Sequence, residues 1–288
     1  MVHTHAPGSA IVVTGASTGI GAACAAELDR RGFRVFAGVR SEADGQRLAA
    51  TSSSRLVPVR LDVTVEQEIA AAAARVAEAV GSEGVAGLVN NAGIAVGGPL
   101  ELLPIEKLRR QLEVNVIGQI AVTQAFLPLL RKSRGRIVNM SSVSGRIVWP
   151  YLGAYAASKF AMEALSDALR TELRNWAIHV ALIEPGSIAT PIWDKSLAAA
   201  TALRQDGPAE ARALYQADLD VAMERVRLAA ARAIPVDRVV RAVVHALLSR
   251  RPRIRYPIGP DTRISLILYR LLPTRLWDRF LQRMLGLR

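Results

Sequence analysis

The sequence predicts an α/β fold, a doubly wound parallel sheet in three α-β-α layers, with a helical lid and a C-terminal extension. Three observations predict it. Short apolar runs alternate with longer helical stretches, and parallel strands need such crossovers. The first apolar run ends in a glycine-rich turn that opens a helix. The chain has 288 residues, 51% of them hydrophobic and 22% charged, which is enough to build one large core and too apolar for disorder.

Each element follows in order. Residues 10–14 form a first strand, and 24–31 a helix stopped by Gly32. Residues 33–39 are a second strand, 45–52 a short helix and 56–63 a third strand. The Ala-rich stretch 65–80 is helical and 86–90 is a fourth strand. Residues 108–130 read as a long helix that must accommodate Gly118 and ends near Pro128. A fifth strand at 135–141, a helix at 155–175 and a sixth strand at 179–184 complete the pattern. Right-handed crossovers then place a ligand site at the strand C-termini. Beyond Pro185 the segment 190–234 is mostly helical and reads as a lid. It is followed by a helix at 236–249, a last strand at 255–259, and a basic amphipathic helix at 261–284 interrupted at Pro273. The organisation is thus a flexible N-terminus (1–9), one α/β domain (10–260, lid at 190–235) and a basic extension (261–288).

The net charge of +12 is concentrated. Residues 225–288 hold fifteen arginines against three acidic residues, whereas residues 1–224 balance at 22 of each sign. Such a tail suits an anionic lipid surface or a phosphate-bearing ligand. Nucleic acid is not expected, because zinc-finger spacing and base-stacking aromatics are both missing. The lone Cys24 cannot form an internal disulfide, which suits a reducing compartment. The first ten residues carry no secretory signal, and no run reaches the ~18 apolar residues of a spanning helix. A cytoplasmic protein is expected, and the basic extension reads as a helix packed on its own domain, as a subunit contact, or as an amphipathic helix resting on a membrane surface. The four histidines are scattered, so no metal site is expected.

Gly15, Gly19 and Gly21, in the stretch Thr14-Gly15-Ala16-Ser17-Thr18-Gly19-Ile20-Gly21, follow the first strand. Glycines there let backbone N–H groups approach a diphosphate at a helix N-terminus. At the end of the second strand an acidic residue would bond an adenosine ribose and repel a 2′-phosphate. Here stand Arg40, which can pair a phosphate bidentately, and Ser41, which can donate another bond. Tyr155 and Lys159 lie four apart on one helix face, so an ammonium stands beside a phenol that is otherwise a poor acid–base group at neutral pH. Lys159 is one of only four lysines in a chain of 33 arginines.

These motifs, in this order, resemble the short-chain dehydrogenase/reductase family over residues 8–190: the glycine loop, Asp62 after the third strand, Asn90-Asn91-Ala92-Gly93 after the fourth, Asn115, Ser142, Tyr155-x-x-x-Lys159 and Pro185-Gly186. The resemblance implies a Rossmann-like fold and an oxidoreductase that interconverts an alcohol and its carbonyl. It implies Ser142, Tyr155, Lys159 and Asn115 as catalytic residues, with Asn115 holding a water beside the lysine. It implies a cofactor site of Gly15, Ser17, Thr18, Gly19, Ile20, Gly21, Arg40, Ser41, Asp62, Val63, Asn91, Ala92, Gly93, Tyr155, Lys159, Pro185, Gly186, Ile188 and Thr190. Thr18 stands where the family often carries a second basic residue. Arg40 favours NADP(H), with NAD(H) as the alternative. Residues 36–40 and 255–259 resemble the 17β-hydroxysteroid and retinol dehydrogenase branch, which implies a lipophilic, steroid- or retinoid-like substrate. Val148, Trp149, Tyr151, Ile192, Trp193, Leu197, Leu203, Leu214 and Tyr215 are candidates to line its pocket. The family's habit implies a homodimer or homotetramer. Reduction of a C=C or imine on the same scaffold is the competing chemistry, and a non-catalytic NADP(H)-binding protein is disfavoured by the intact Ser142, Tyr155 and Lys159.

Overall fold

The structure is a computed structural model that describes residues 5–193 and 208–286. Seven strands, β1 (Ala10–Val13), β2 (Arg34–Val39), β3 (Leu56–Arg60), β4 (Gly87–Asn90), β5 (Arg136–Met140), β6 (His179–Pro185) and β7 (Arg255–Ile258), form one parallel sheet. Their order is β3-β2-β1-β4-β5-β6-β7, so the winding reverses between β1 and β4. A crevice opens at such a reversal beyond the strand C-termini. The inner strands are buried because helices cover both faces: β1 is buried at all four residues and β5 at all five, Arg136 and Asn139 included.

Ten helices flank the sheet among the described residues: α1 (Gly19–Arg30), α2 (Glu42–Ala50), α3 (Glu66–Val80), α4 (Ile105–Leu112), α5 (Gly118–Ser133), α6 (Gly153–Glu172), α7 (Ala209–Ala231), α8 (Asp237–Leu248), α9 (Pro260–Leu271) and α10 (Thr274–Leu285). Cys24, Ala25 and Leu28 of α1 pack with Val239, Val243 and Leu247 of α8 on one face. Ile69 and Val76 of α3 pack with Val122, Phe126 and Leu130 of α5 on the other. Burial pushes the Cys24 thiol up to about 12, so it is a core residue rather than a nucleophile.

Several boundaries depart from expectation for physical reasons. α1 begins at Gly19, not at residue 24, because the glycine loop itself winds into the helix. α2 begins at Glu42, where the Ser41 hydroxyl accepts the Asp44 N–H. The long helix does not stop near Pro128 but runs to Ser133. Pro128 sits on the exposed side, where water can satisfy the carbonyl it leaves free, while Phe126, Leu129 and Leu130 hold the last turn on the sheet. A π-turn at Glu113–Ile117 separates α4 from α5. The expected flexible N-terminus is already fastened at Gly8 and Ser9: Gly8 N–H donates to Gly32 O at 2.8 Å, and Ser9 O accepts from Arg34 N–H at 3.1 Å. α9 and α10 dock on the domain, with Trp277 and Leu281 buried against Ile147.

Candidate active site

The loop after β1 turns sharply through two left-handed glycines, Gly15 (φ +63°) and Gly19 (φ +59°). A Cβ on Gly15 would lie 2.8 Å from Ala92 Cα, and one on Gly21 would collide with Gly15 O. Asn91 Nδ2 donates to the carbonyls of Thr14 and Gly15 at 3.0 and 3.1 Å, and Thr14 Oγ1 accepts the Asn91 and Ala92 N–H groups. The loops after β1 and β4 are thereby locked together at the winding reversal. Thr18 caps α1 without a side-chain bond, which leaves first-turn N–H groups to face an anion. Ser17 is half-buried on the same loop, and Ile20 packs against the core beneath it. A tight glycine turn at a bare helix N-terminus fits a dinucleotide diphosphate.

Beyond β2, Arg40 is exposed and no acidic residue takes its place. Ser41 accepts from Asp44, an arrangement that leaves its O–H to donate. Beyond the neighbouring strand β3, Asp62 Oδ1 accepts the Thr64 N–H and O–H at 2.9 and 2.8 Å. Burial works to raise its pKa, but the bonds from Thr64 and the charges of Arg110 and Arg40 hold it below the ordinary aspartate value. The field of Arg40 therefore reaches Asp62. Val63 is buried beside Asp62, with Gly118 packed on its carbonyl.

Ser142, Tyr155, Lys159 and Asn115 converge at the ends of β5 and β6. Ser142 Oγ accepts the Ser144 N–H at 3.1 Å and contacts Pro185 O at 3.4 Å, which fixes it at the mouth of the crevice. Desolvation raises the Tyr155 phenol above its ordinary value, and a hydrogen bond with Ser142 opposes the rise. Lys159 is buried; its Nζ donates to Met140 O at 2.7 Å and lies 5.7 Å from the Tyr155 ring centroid. Burial pulls its pKa down to about 8 against the opposing charge of Glu163. Asn115 occupies the π-turn. Its Oδ1 accepts Ile94 N–H at 2.9 Å, and its Nδ2 donates to Ile94 O at 2.9 Å and to Ser158 Oγ at 3.1 Å, joining the loop after β4 to α6. Gly93 lies beside this side chain. Asn90 instead braces the sheet through Thr123 and Asn139.

The far wall follows β6. Gly186 N–H donates to Ile258 O at 3.0 Å, and Ile188, itself buried, bridges to Ile234. Thr190 comes within 3.5 Å of where a Gly19 Cβ would stand, so it faces the glycine loop across the cleft. Trp193 Nε1 donates to Ile188 O at 2.7 Å. Of the candidate lining residues, Leu197 and Leu203 lie outside the described residues. Trp149 turns away to meet Trp277, ring centroids 6.4 Å apart, and Leu214 is 77% exposed on α7. Tyr151 O–H donates to Asp218 at 2.9 Å and Tyr215 O–H to Glu101 at 2.7 Å, so both phenols fasten α7 instead of presenting their hydroxyls to a ligand.

A nucleotide cradle, a hydroxyl pair and a buried ammonium at one sheet edge make up the site of a known family. The family model for short chain dehydrogenase matches residues 9–201. The chain belongs to the short-chain dehydrogenase family. It is 39% identical to the 17-beta-hydroxysteroid dehydrogenase type 6 of Bos taurus (98% of this chain, 90% of that one). It is 38% identical to retinol dehydrogenase 16 of Mus musculus (97% and 90%). Among solved structures, a short chain dehydrogenase from Burkholderia cenocepacia J2315 in complex with NADP superposes with a TM-score of 0.73 at 27% identity (94% and 97% covered). One from Burkholderia phymatum in complex with NAD superposes with 0.76 at 26% (91% and 92%). The protein is accordingly an NAD(P)-dependent oxidoreductase that interconverts an alcohol and its carbonyl.

This short-chain dehydrogenase also carries site residues that the motifs alone did not single out. Gln111, fully buried, accepts Val96 N–H at 2.7 Å and donates to Ile94 O and Ser158 Oγ, reinforcing Asn115. Ser141 and Glu163 stand directly behind Ser142 and Lys159. Glu163 was legible as a carboxylate four residues beyond Lys159 on one helix; that it faces inward depends on the strand that supplies its partner.

Proposed function

We propose that this dehydrogenase works with NADP(H) on a lipophilic secondary or primary alcohol or the matching carbonyl. The carrying observation for the chemistry is the contact between Ser142 and Tyr155 with the Lys159 ammonium behind them. The nicotinamide would supply or accept the hydride. Ser142 holds the substrate oxygen and orients it. Tyr155 delivers a proton to that oxygen in reduction and takes it in oxidation. Lys159 stabilises the phenolate, and Asn115 keeps the catalytic helix in register with the loop after β4. Thr190, Gly186 and Ile188 would hold the nicotinamide end; Asp62, Val63 and Asn91 the adenine end; Gly15 through Gly21 the diphosphate.

Arg40 supports the choice of cofactor: an exposed guanidinium just beyond β2, where an acidic residue would bond a ribose hydroxyl, suits a 2′-phosphate. Lipophilic substrates are supported by the steroid and retinol relatives. A homodimer or homotetramer follows the family's habit. The decisive experiment titrates NADPH and NADH by nicotinamide fluorescence against the wild type and Arg40→Asp. NADPH should bind tighter to the wild type and the preference should reverse in the variant; equal or tighter NADH binding by the wild type would sink the assignment.

Peripheral contact with an anionic membrane is a second reading, favoured by one feature of α9 and α10. Ile264, Ile267, Leu271 and Phe280 are exposed among Arg263, Arg270, Arg275 and Arg279.

A further inference from the structure

The catalytic helix turns a second polar surface away from the cleft, into a charge cluster built on two buried carboxylates. One turn beyond Lys159, Glu163 is 6% exposed. Its Oε1 accepts Ser141 O–H at 2.5 Å and its Oε2 accepts Arg255 Nε–H at 3.0 Å. Arg255, on β7, also lies 3.4 Å from Glu184 Oε1 and donates to Asp167 at 2.7 Å. Glu184, 2% exposed near the end of β6, accepts from Arg146 at 3.4 Å. Gly145 keeps the space open: a Cβ there would sit 2.7 Å from Ser141 Oγ and 3.1 Å from Glu163 Cγ. Three carboxylates, two guanidiniums and one ammonium thus face one another from α6, β6, β7 and the turn after β5.

Burying Glu163 and Glu184 side by side costs stability, and apolar residues of the same volume would pack there without that cost. Their placement is informative. Ser141 is the residue before Ser142, and Glu163 is one helical turn from Lys159. We infer that Glu163 is a positioning residue for the reacting centre: through Ser141 it fixes the strand end that presents Ser142, and its charge keeps the buried Lys159 ammonium protonated beside Tyr155. Arg255 shares that charge and so sets how much of it Lys159 receives. The inference rests on the reading of Ser142, Tyr155 and Lys159 as the reacting set.

The electrostatics agree with the geometry. Burial draws the Lys159 pKa down, and Glu163 is the charge that resists. Burial and the neighbouring Glu163 push the Glu184 pKa up, while Arg146 and Arg255 oppose the rise.

Lys159 can be titrated without a substrate. The full-length protein is acylated with a trace amine reagent across the pH range, and each of the four lysine-bearing peptides is quantified by mass spectrometry, with exposed Lys132 as the reference. Glu163→Gln keeps an acceptor for Ser141 but removes the charge. It should lower the Lys159 midpoint by about one pH unit, which raises labelling about tenfold at a fixed pH below the midpoint. Glu163→Asp should restore the wild-type midpoint. Ser141→Ala should leave the midpoint in place while reducing kcat for a 17β-hydroxysteroid probe. A Lys159 midpoint unchanged in Glu163→Gln, or shifted equally by Glu163→Asp, would overturn the inference. Should Glu163→Gln fail to fold, Glu163→Asp and Ser141→Ala still decide: the inference is overturned if either of them lowers the midpoint. Turnover of the same probe by Tyr155→Phe tests the underlying reading separately: full activity there would remove the reacting set and leave the titration result standing.

Discussion

Lys159 carries a cost that its neighbours only partly offset. Its folded-state pKa of about 8 lies below the ordinary 10.5 because burial penalises the ammonium. Between those values the unfolded chain binds the proton more tightly than the folded one, so this residue's contribution to stability rises with pH across that window. Below about pH 8 the penalty is fully present. Lys159→Met should therefore stabilise the protein at pH 7 by on the order of 1–3 kcal/mol, with the gain fading towards pH 10.5. Urea unfolding at pH 7 and pH 10 checks the sign, and loss of turnover in the same variant would show what the cost maintains. A variant less stable at pH 7 than the wild type would mean that the bond to Met140 O outweighs desolvation.

Among the elements, α5 shows how one close approach couples the core to the cofactor end. Gly118 packs directly on the carbonyl of Val63, the residue after Asp62. Gly118→Ala cannot fit without moving that loop. It should cost about 1–3 kcal/mol in denaturant unfolding and weaken nicotinamide cofactor binding together with it. Unchanged binding would separate the loop from the adenine site. The same helix marks what sequence could and could not disclose. The parallel strands, their crossover helices and the positions of Ser142, Tyr155 and Lys159 follow from apolar periodicity and from motifs at strand ends. The continuation past Pro128 does not, because it depends on which side of the helix faces water. The start of α2 was missed because Ser41 was read as a phosphate donor, while its side chain also caps a helix. Trp149 and Leu214 were legible as apolar but not as to direction; the aromatic cluster around Trp277 decided the first.

Across the whole molecule the charge is lopsided, and the excess lies in the arginine-rich stretch after residue 224. α9 and α10 satisfy both demands on an amphipathic pair: Trp277 and Leu281 are buried against the domain while Ile264 and Ile267 stay about 60% exposed. The protein should co-sediment with vesicles of anionic phospholipid and not with zwitterionic ones, and binding should fall as salt is raised. Arg275→Glu with Arg279→Glu should abolish it; binding that survives both changes would place the contact elsewhere.

Strand β7 closes the sheet next to β6, yet it is encoded after residue 250. Its Arg255 meets Glu163 and Glu184, which belong to segments synthesised far earlier. During translation the crossover units before it can collapse in sequence as they leave the ribosome. Until Arg255 arrives, the two carboxylates lack one of their countercharges and resist burial. A nascent chain stalled before residue 255 should therefore form the earlier crossover units while Glu163 and Glu184 still lack the guanidinium of Arg255.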